Sequence, residues 1–293
     1  MRLGGVAIHP GSPEGLAAFG ALADAHGISA IVAPAGLDRM EAEIAAAWGD
    51  AVRAAGLVIG EAGFWENLQV QDATLAEDRL ARLRRTLRNA DIMGCRSVAI
   101  LPGTHHPSDK SFAADRFNRS AAGRDAVLAT IRAALDGFEP RHTRLGMEPY
   151  AANFFYHPEA VLDFLEEVDD PRFGLHLDFA NMLTVETFFD SGAQIDRWMP
   201  ELASHAVSCH LKDLTWPASP LGLAFAEVDL GCGEIDLGAY LGAIDTLLPP
   251  DMTVFCEHFP TDQDYFRNFA LAHEIAAARG LAFLARQNPE GDA

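Results

Sequence analysis

Short apolar runs alternate with amphipathic runs eight times along the 293 residues. That rhythm narrows the possible folds more than any other feature, because a strand followed by a returning helix forces its neighbour strand to run parallel. LGGVAIHP (3–10) precedes a helical stretch at 13–26, with Ser12 as N-cap and Pro13 in the first turn. ISAIVAPA (28–35) precedes the Ala-rich stretch 38–55, which Gly56 closes. LVIGEAGF (57–64) precedes a charged helix at 72–93 that ends at Gly94. SVAILPG (97–103) leads into a long loop, 104–123, with one helical turn, and then a helix at 124–138.

The second half repeats the pattern. Strands five to eight carry Glu148, Asp178, His210 and Glu257. Their helices fall at 158–168, 181–203 (broken near Ser191-Gly192), 236–248 and 261–280. A Pro- and Gly-containing loop, 214–234, follows strand seven. No linker, composition break or sequence repeat separates these units. The sequence therefore predicts an α/β fold with a single (β/α)8 TIM barrel over residues 1–285 and a flexible tail at 286–293.

Four of the strands end alike: RLGMEPY (144–150), FGLHLDFAN (173–181), AVSCHLKD (206–213) and MTVFCEHF (252–259). Each closes an apolar run with a residue able to hold a cation. Glu148, Asp178, His210 and Glu257 lie 30, 32 and 47 residues apart in order. The first two gaps each fit one strand–helix unit of about 30 residues, and the third fits a unit with a long loop. Side chains alternate along a strand. If the four point to the barrel axis, Met147, Leu177, Cys209, Leu211 and Cys256 point to the helices, as an apolar layer requires. Any one acid could cap a strand end beside a base. Four in phase at the face where barrels build active sites point to a metal. Three carboxylates and one imidazole suit one divalent ion, Mn²⁺ first with Mg²⁺ or Co²⁺ as the alternatives, rather than structural Zn²⁺.

Composition excludes several classes. A net charge of −20 repels nucleic acid and anionic membranes, so neither is an expected partner. No apolar run approaches the roughly 20 residues of a membrane span, and the first residues do not read as a signal peptide. The four cysteines, Cys95, Cys209, Cys232 and Cys256, form no CxxC pair and read as reduced thiols of a cytoplasmic protein.

MEPY, LDFAN, CHLKD, LGCGEID and CEH, in that order, resemble the sugar phosphate isomerase/epimerase group of xylose isomerase-like barrels. The resemblance covers the C-terminal half; GFWENL (63–68) and LPGTHHP (101–107) are weaker echoes. It implies that Glu148, Asp178, His210 and Glu257 bind one divalent metal. By similarity to the family's ketose 3-epimerases, Glu148 and Glu257 would also transfer protons. Two positions depart from those epimerases. Asn181 stands where they have a His three residues after the metal Asp. Lys212 follows His210 by two residues, where they have an Arg several residues on. The substrate's polar contacts are therefore expected to differ. The family also contains inosose dehydratases, and homo-oligomers are usual in it.

The implied activity is a metal-dependent isomerase or epimerase of a small sugar, keto-sugar or sugar derivative; the alternative is a metal-dependent dehydratase or lyase acting on a keto-sugar or inosose. Removing a proton next to a carbonyl leaves an enediolate, whose charge a chelating divalent cation stabilises. Carboxylates on the two faces of the substrate can take one proton and return another. An endonuclease IV-like reading needs a basic track for phosphates, which the charge opposes.

Further polar residues are expected around the substrate. Lys212 would hold a substrate oxygen or pair with Asp213 or Glu257. Asn181 would touch substrate or cap a helix. His105 and His106 in the loop after strand four, Asn67 with Glu66 after strand three, and His9 at the end of strand one complete the set. His176 reads as a hydrogen-bonded core group below Asp178, and His258 as facing away from the site. Loops 104–123 and 214–234 are expected to cover the site and move on binding.

Overall fold

The computed structural model describes residues 1–218 and 224–287. Eight parallel strands form a nearly closed barrel: β1 (Arg2–Gly5), β2 (Ala30–Val32), β3 (Val58–Phe64), β4 (Ser97–Ile100), β5 (Arg144–Met147), β6 (Phe173–Leu177), β7 (Ala206–Leu211) and β10 (Thr253–Cys256). Their order around the barrel is β1-β10-β7-β6-β5-β4-β3-β2. The N–H of Ser29 donates to the carbonyl of Leu3 (2.9 Å), which ties β2 to β1 at the seam. Eight helices pack outside: α1 (Leu16–His26), α2 (Ala42–Ala54), α3 (Ala73–Met93), α4 (Ala121–Leu135), α5 (Pro158–Val168), α6 (Ser191–Leu202), α7 (Leu237–Leu247) and α8 (Asp262–Ala278). The chain is thus a single (β/α)8 barrel.

Local chemistry sets the helix ends. Asp72 caps α3 by accepting from the Leu75 N–H (3.0 Å), and Gly94 closes it in the left-handed conformation. Met147, Leu177, Cys209, Leu211 and Cys256 are all fully buried between strands and helices, as strand alternation requires. Inside the barrel the Phe255 ring fills the middle layer. A Cβ at Gly4 or Gly60 would lie 2.6 or 2.7 Å from that ring, so both glycines are needed for the close approach. The cysteines are all free, and burial pushes the Cys95 thiol up to about 12, which leaves it inert.

The structure departs from the expected elements in three places. The first strand stops at Gly5, and the chain then turns. The first part of the stretch 181–203 consists of two 3-10 turns, and α6 begins only at Ser191, where the break was expected. The loop 214–234 contains a hairpin: β8 (Asp213–Thr215) pairs antiparallel with β9 (Ala226–Val228). Aromatic stacking holds it, with Phe225 on Phe188 (4.3 Å) and Trp216 on Phe189 (5.9 Å). Residues 219–223 of that loop lie outside the described residues. At the start of the stretch 286–293, Arg286 donates to Asp24 Oδ1 (2.9 Å) and the Gln287 N–H donates to Gly56 O (3.1 Å); residues 288–293 lie outside the described residues.

Candidate metal centre

Glu148, Asp178 and Glu257 each follow the last residue of a barrel strand, and His210 lies one residue before the end of β7. Parallel pairing brings these ends to one face. His210 sits beside Phe255, two residues before Glu257. The β6–β7 register shifts, so His176 faces Ser208. The structure thus brings the four together: one ligand atom from each lies within 4.8 Å of the others. All four side chains are buried.

Three of these atoms are in the state that a cation would resolve. Asp178 Oδ2, His210 Nδ1 and Glu257 Oε1 are buried without a hydrogen bond of acceptable geometry. Buried polar atoms are rarely left so. Lys212 crowds the same point. Its Nζ is 2.6 Å from Asp178 Oδ2, pairs closely with Glu257 Oε1, and lies 3.8 Å from Glu227 Oε1. The donor set is oxygen-rich with one imidazole, and it fits a hard divalent cation.

The two glutamates are electrostatically unlike. Burial, reinforced by the negative Asp178 and Glu257, holds the Glu148 carboxyl well above the usual carboxylate range. Burial acts in the same direction on Glu257, but His210 and Lys212 overcome it and hold that carboxyl well below the range. Burial would neutralise Lys212, yet Asp178 and Glu257 keep its ammonium firmly charged. These directions hold without a cation; a cation held by both carboxylates would favour the charged form of Glu148 as well.

The other expected residues divide. Asn181 Nδ2 donates to Glu148 Oε1 (2.7 Å), and its backbone N–H donates to Asp178 Oδ1 (3.1 Å). Lys212 pairs with Glu257 and not with Asp213, whose carboxylate accepts four backbone N–H groups, from Leu214, Gly231, Gly233 and Ile235. That carboxylate anchors the turn after the hairpin. His9 is exposed and lines a cavity of about 430 Å³ that reaches His210 and Glu257.

Asn67, His105 and His106 are not brought to the cluster. They line a neighbouring cleft of about 280 Å³. Asn67 is fully engaged: its Oδ1 accepts from Thr104 and Gln69, and its Nδ2 donates to Thr104 O and Asp109 Oδ1. His105 stacks on Phe117 (3.4 Å), and the His106 ring is held by Ser108. Loop geometry, which local sequence does not encode, decides this.

Two residues enter the site without a clear sequence signal. His258 adopts a left-handed backbone (φ 63°), which turns its ring back toward the site instead of away. Its Nδ1 lies 2.9 Å from Glu227 Oε1 and its Nε2 3.4 Å from Glu257 Oε2. Glu61 is buried on β3 and lies 3.2 Å from His210 Nε2. The β2–β3 pairing skips Gly60, and that irregularity changes the strand's alternation. The one signal was a lone acid inside the apolar run VIGEAGF.

A second cavity, also about 430 Å³, opens on Glu148, Asn181, Lys212 and Glu257 beneath Trp65, Phe112 and Tyr150. Ser111 and Phe112 come from loop 104–123, and Glu227 from the hairpin, so both long loops border the site.

A barrel carrying this strand-end cluster has well-defined relatives. The model of the xylose isomerase-like TIM barrel family matches residues 7–287, and the chain belongs to that family. Among solved structures it resembles a xylose isomerase-like TIM barrel protein from Mycobacterium smegmatis in complex with magnesium (16% identity, 91% of this chain and 90% of that one, TM-score 0.65). It is similar to endonuclease IV from Thermus thermophilus (17%, 95% and 100%, TM-score 0.66). It is also similar to D-allulose 3-epimerase from Methylomonas sp. in complex with D-allulose (15%, 88% and 83%, TM-score 0.59). No curated protein matches the sequence. No helix among the described residues is long and apolar enough to cross a membrane.

Proposed function

We propose that this chain is a divalent-metal-dependent isomerase or epimerase of a small sugar, keto-sugar or sugar derivative. The observation that carries the proposal is the buried Glu148–Asp178–His210–Glu257 cluster, of which Glu148, His210 and Glu257 line open cavities. The family and the epimerase-like fold support it. These four residues would hold the cation, Mn²⁺ by choice of donors with Mg²⁺ or Co²⁺ as substitutes. When bound, the cation supplies positive charge next to the substrate's oxygens.

The chain's own residues account for the proton movements. Glu257, held as a carboxylate, takes the proton from the carbon next to the carbonyl. Glu148, whose Oε1 accepts from Asn181 Nδ2, would return one to the resulting enediolate. Return to the same carbon from the other face is epimerisation; return to its neighbour is isomerisation. Lys212 and Asn181 border the same cavity and would orient the substrate's oxygens. His9 at the rim of the other cavity would reach a distal hydroxyl.

Two carboxylates on one cluster also fit a second reading. A proton from Glu148 delivered to a leaving hydroxyl would make the chain a dehydratase. Incubation with a panel of keto-sugars and inososes in deuterated water separates the two. The first reading expects deuterium at the carbon next to the carbonyl with no water lost. The second expects release of water and a conjugated carbonyl absorbance. If no substrate in the panel exchanges or eliminates in the metal-loaded protein, both readings fail.

Lys212 provides a further check. Its ammonium stands against two of the proposed ligands, so it opposes any cation placed there. Like charges in a partly buried site repel by several kcal/mol at a few ångströms, so Lys212→Met should tighten Mn²⁺ binding by about tenfold or more. Turnover should fall, because a substrate contact is lost. Weaker Mn²⁺ binding in the variant, measured by calorimetry, would show that Lys212 supports the cation site instead of opposing it.

A further inference from the structure

One buried acid below the cluster has no part in the proposed proton transfers. Glu61 is 2% exposed, and its Oε1 lies 3.2 Å from His210 Nε2. The other ring nitrogen of His210, Nδ1, faces Glu257 Oε1 (2.8 Å) and Asp178 Oδ2 (3.9 Å). His210 therefore presents one nitrogen to the cation cluster and the other to Glu61. His176 completes the layer, with its Nδ1 2.5 Å from Ser208 Oγ and its Nε2 3.0 Å from His210 Nε2.

The protons in this layer have one consistent arrangement with a cation present. A ring nitrogen that binds a cation must offer a lone pair, so His210 Nδ1 carries no proton. The remaining proton of His210 then sits on Nε2. A carboxylate only accepts hydrogen bonds, which suits Glu61 Oε1 as the acceptor. His176 can donate from Nδ1 to Ser208 Oγ, which leaves its Nε2 as a second, sharing acceptor for the same His210 proton. Every short contact in the layer is then a donor facing an acceptor. The reversed tautomer would place a lone pair of His210 against a carboxylate oxygen.

We infer that Glu61 is a positioning residue for the cation site: it fixes His210 in the Nε2–H tautomer, holds its ring, and makes Nδ1 a stronger ligand. A carboxylate behind a metal-binding imidazole has this effect in general. The inference rests on the metal reading of the four-residue cluster. Gly60 takes part indirectly. The pairing of β2 with β3 skips it, and its carbonyl accepts from Ser97 Oγ (3.0 Å). The acid itself is then free to face His210.

Glu61, His176 and His210 could also be read as a second cation site, since their ligand atoms cluster as well. A cation there needs the lone pair of His210 Nε2, while the upper cluster needs that of Nδ1. Both at once require an imidazolate, so the positioning role is favoured.

Equilibrium binding of Co²⁺ and Mn²⁺ to the full-length chain tests the inference. Loss of a partner behind a metal-binding His typically costs 10- to 100-fold in affinity, so Glu61→Met should weaken both ions by about that factor. Glu61→Gln keeps an oxygen acceptor and should fall between Met and wild type. The visible spectrum of bound Co²⁺ should change in both variants, because the ligand field at Nδ1 changes. A purely structural Glu61 would lower the apo melting temperature and leave the Kd values and the spectrum alone, and that result would overturn the inference while sparing the metal reading. Two cations per chain, with one lost in Glu61→Met, would also overturn it. If the Met variant does not fold, an unchanged Kd and spectrum in Glu61→Gln is sufficient to reject it. A wild-type chain that binds neither ion would reject the inference together with the metal reading.

Discussion

His210→Ala should leave the purified protein with almost no bound divalent metal and no activity, in a barrel that still folds. His210 is the one nitrogen in the cluster, and its Nδ1 faces two of the carboxylates. Without it, three carboxylates remain around a site that Lys212 already partly neutralises. The fold should survive for a reason of scale. Removing the ring leaves a small cavity and strips Glu61 of its partner, and an unsatisfied buried group costs about 1–3 kcal/mol. A domain of ordinary stability, about 5–15 kcal/mol, tolerates that. Metal content by mass spectrometry and the far-ultraviolet circular dichroism spectrum together check it. An unchanged metal stoichiometry would remove His210 from the ligand set and take the four-residue assignment with it.

Glu148→Gln and Glu257→Gln should each retain part of the metal, because an amide oxygen is still a ligand. Each should nevertheless slow solvent exchange at the carbon next to the carbonyl by about a hundredfold or more, the usual effect of losing a general acid or base. The two need not behave alike. Without a cation, burial and its negative neighbours favour the protonated form of Glu148, whereas His210 and Lys212 favour the carboxylate of Glu257; a bound cation would favour the carboxylate of both. With Glu257 as the proposed base, Glu257→Gln should abolish the first proton removal. Glu148→Gln should spare part of that step and block the return. Deuterium incorporation followed alongside product formation distinguishes the two. Wild-type exchange rates in both variants would make these carboxylates ligands only, and would move the search for proton carriers to Lys212 and His258, which stand within ion-pair distance of Glu257.

The split between local and tertiary information follows the range of the forces involved. Alternation of apolar runs, Gly94 at the end of α3 and the Ser12-Pro13 start read correctly because each depends on neighbours a few residues away. The convergence of Glu148, Asp178, His210 and Glu257 was also legible. A parallel barrel places every strand end on the same face, and period-two alternation phases the side chains. Register irregularities broke that logic. The skipped Gly60 brings Glu61 into contact with His210, and the left-handed backbone of His258 returns its ring toward Glu257; no periodicity announces either. Asn67, His105 and His106 looked like neighbours of the cluster because they follow strands β3 and β4, yet hydrogen bonds between the two loops hold them in a cleft of their own. The hairpin in loop 214–234 forms because Phe188 and Phe189, about 30 residues earlier, offer a surface for Phe225 and Trp216. The sequence by itself determined the barrel and the four strand-end residues, since both follow from repeating local patterns. Only the tertiary structure decided which loop residues share the cavity and which acid stands behind His210, because those depend on contacts between segments far apart in the chain.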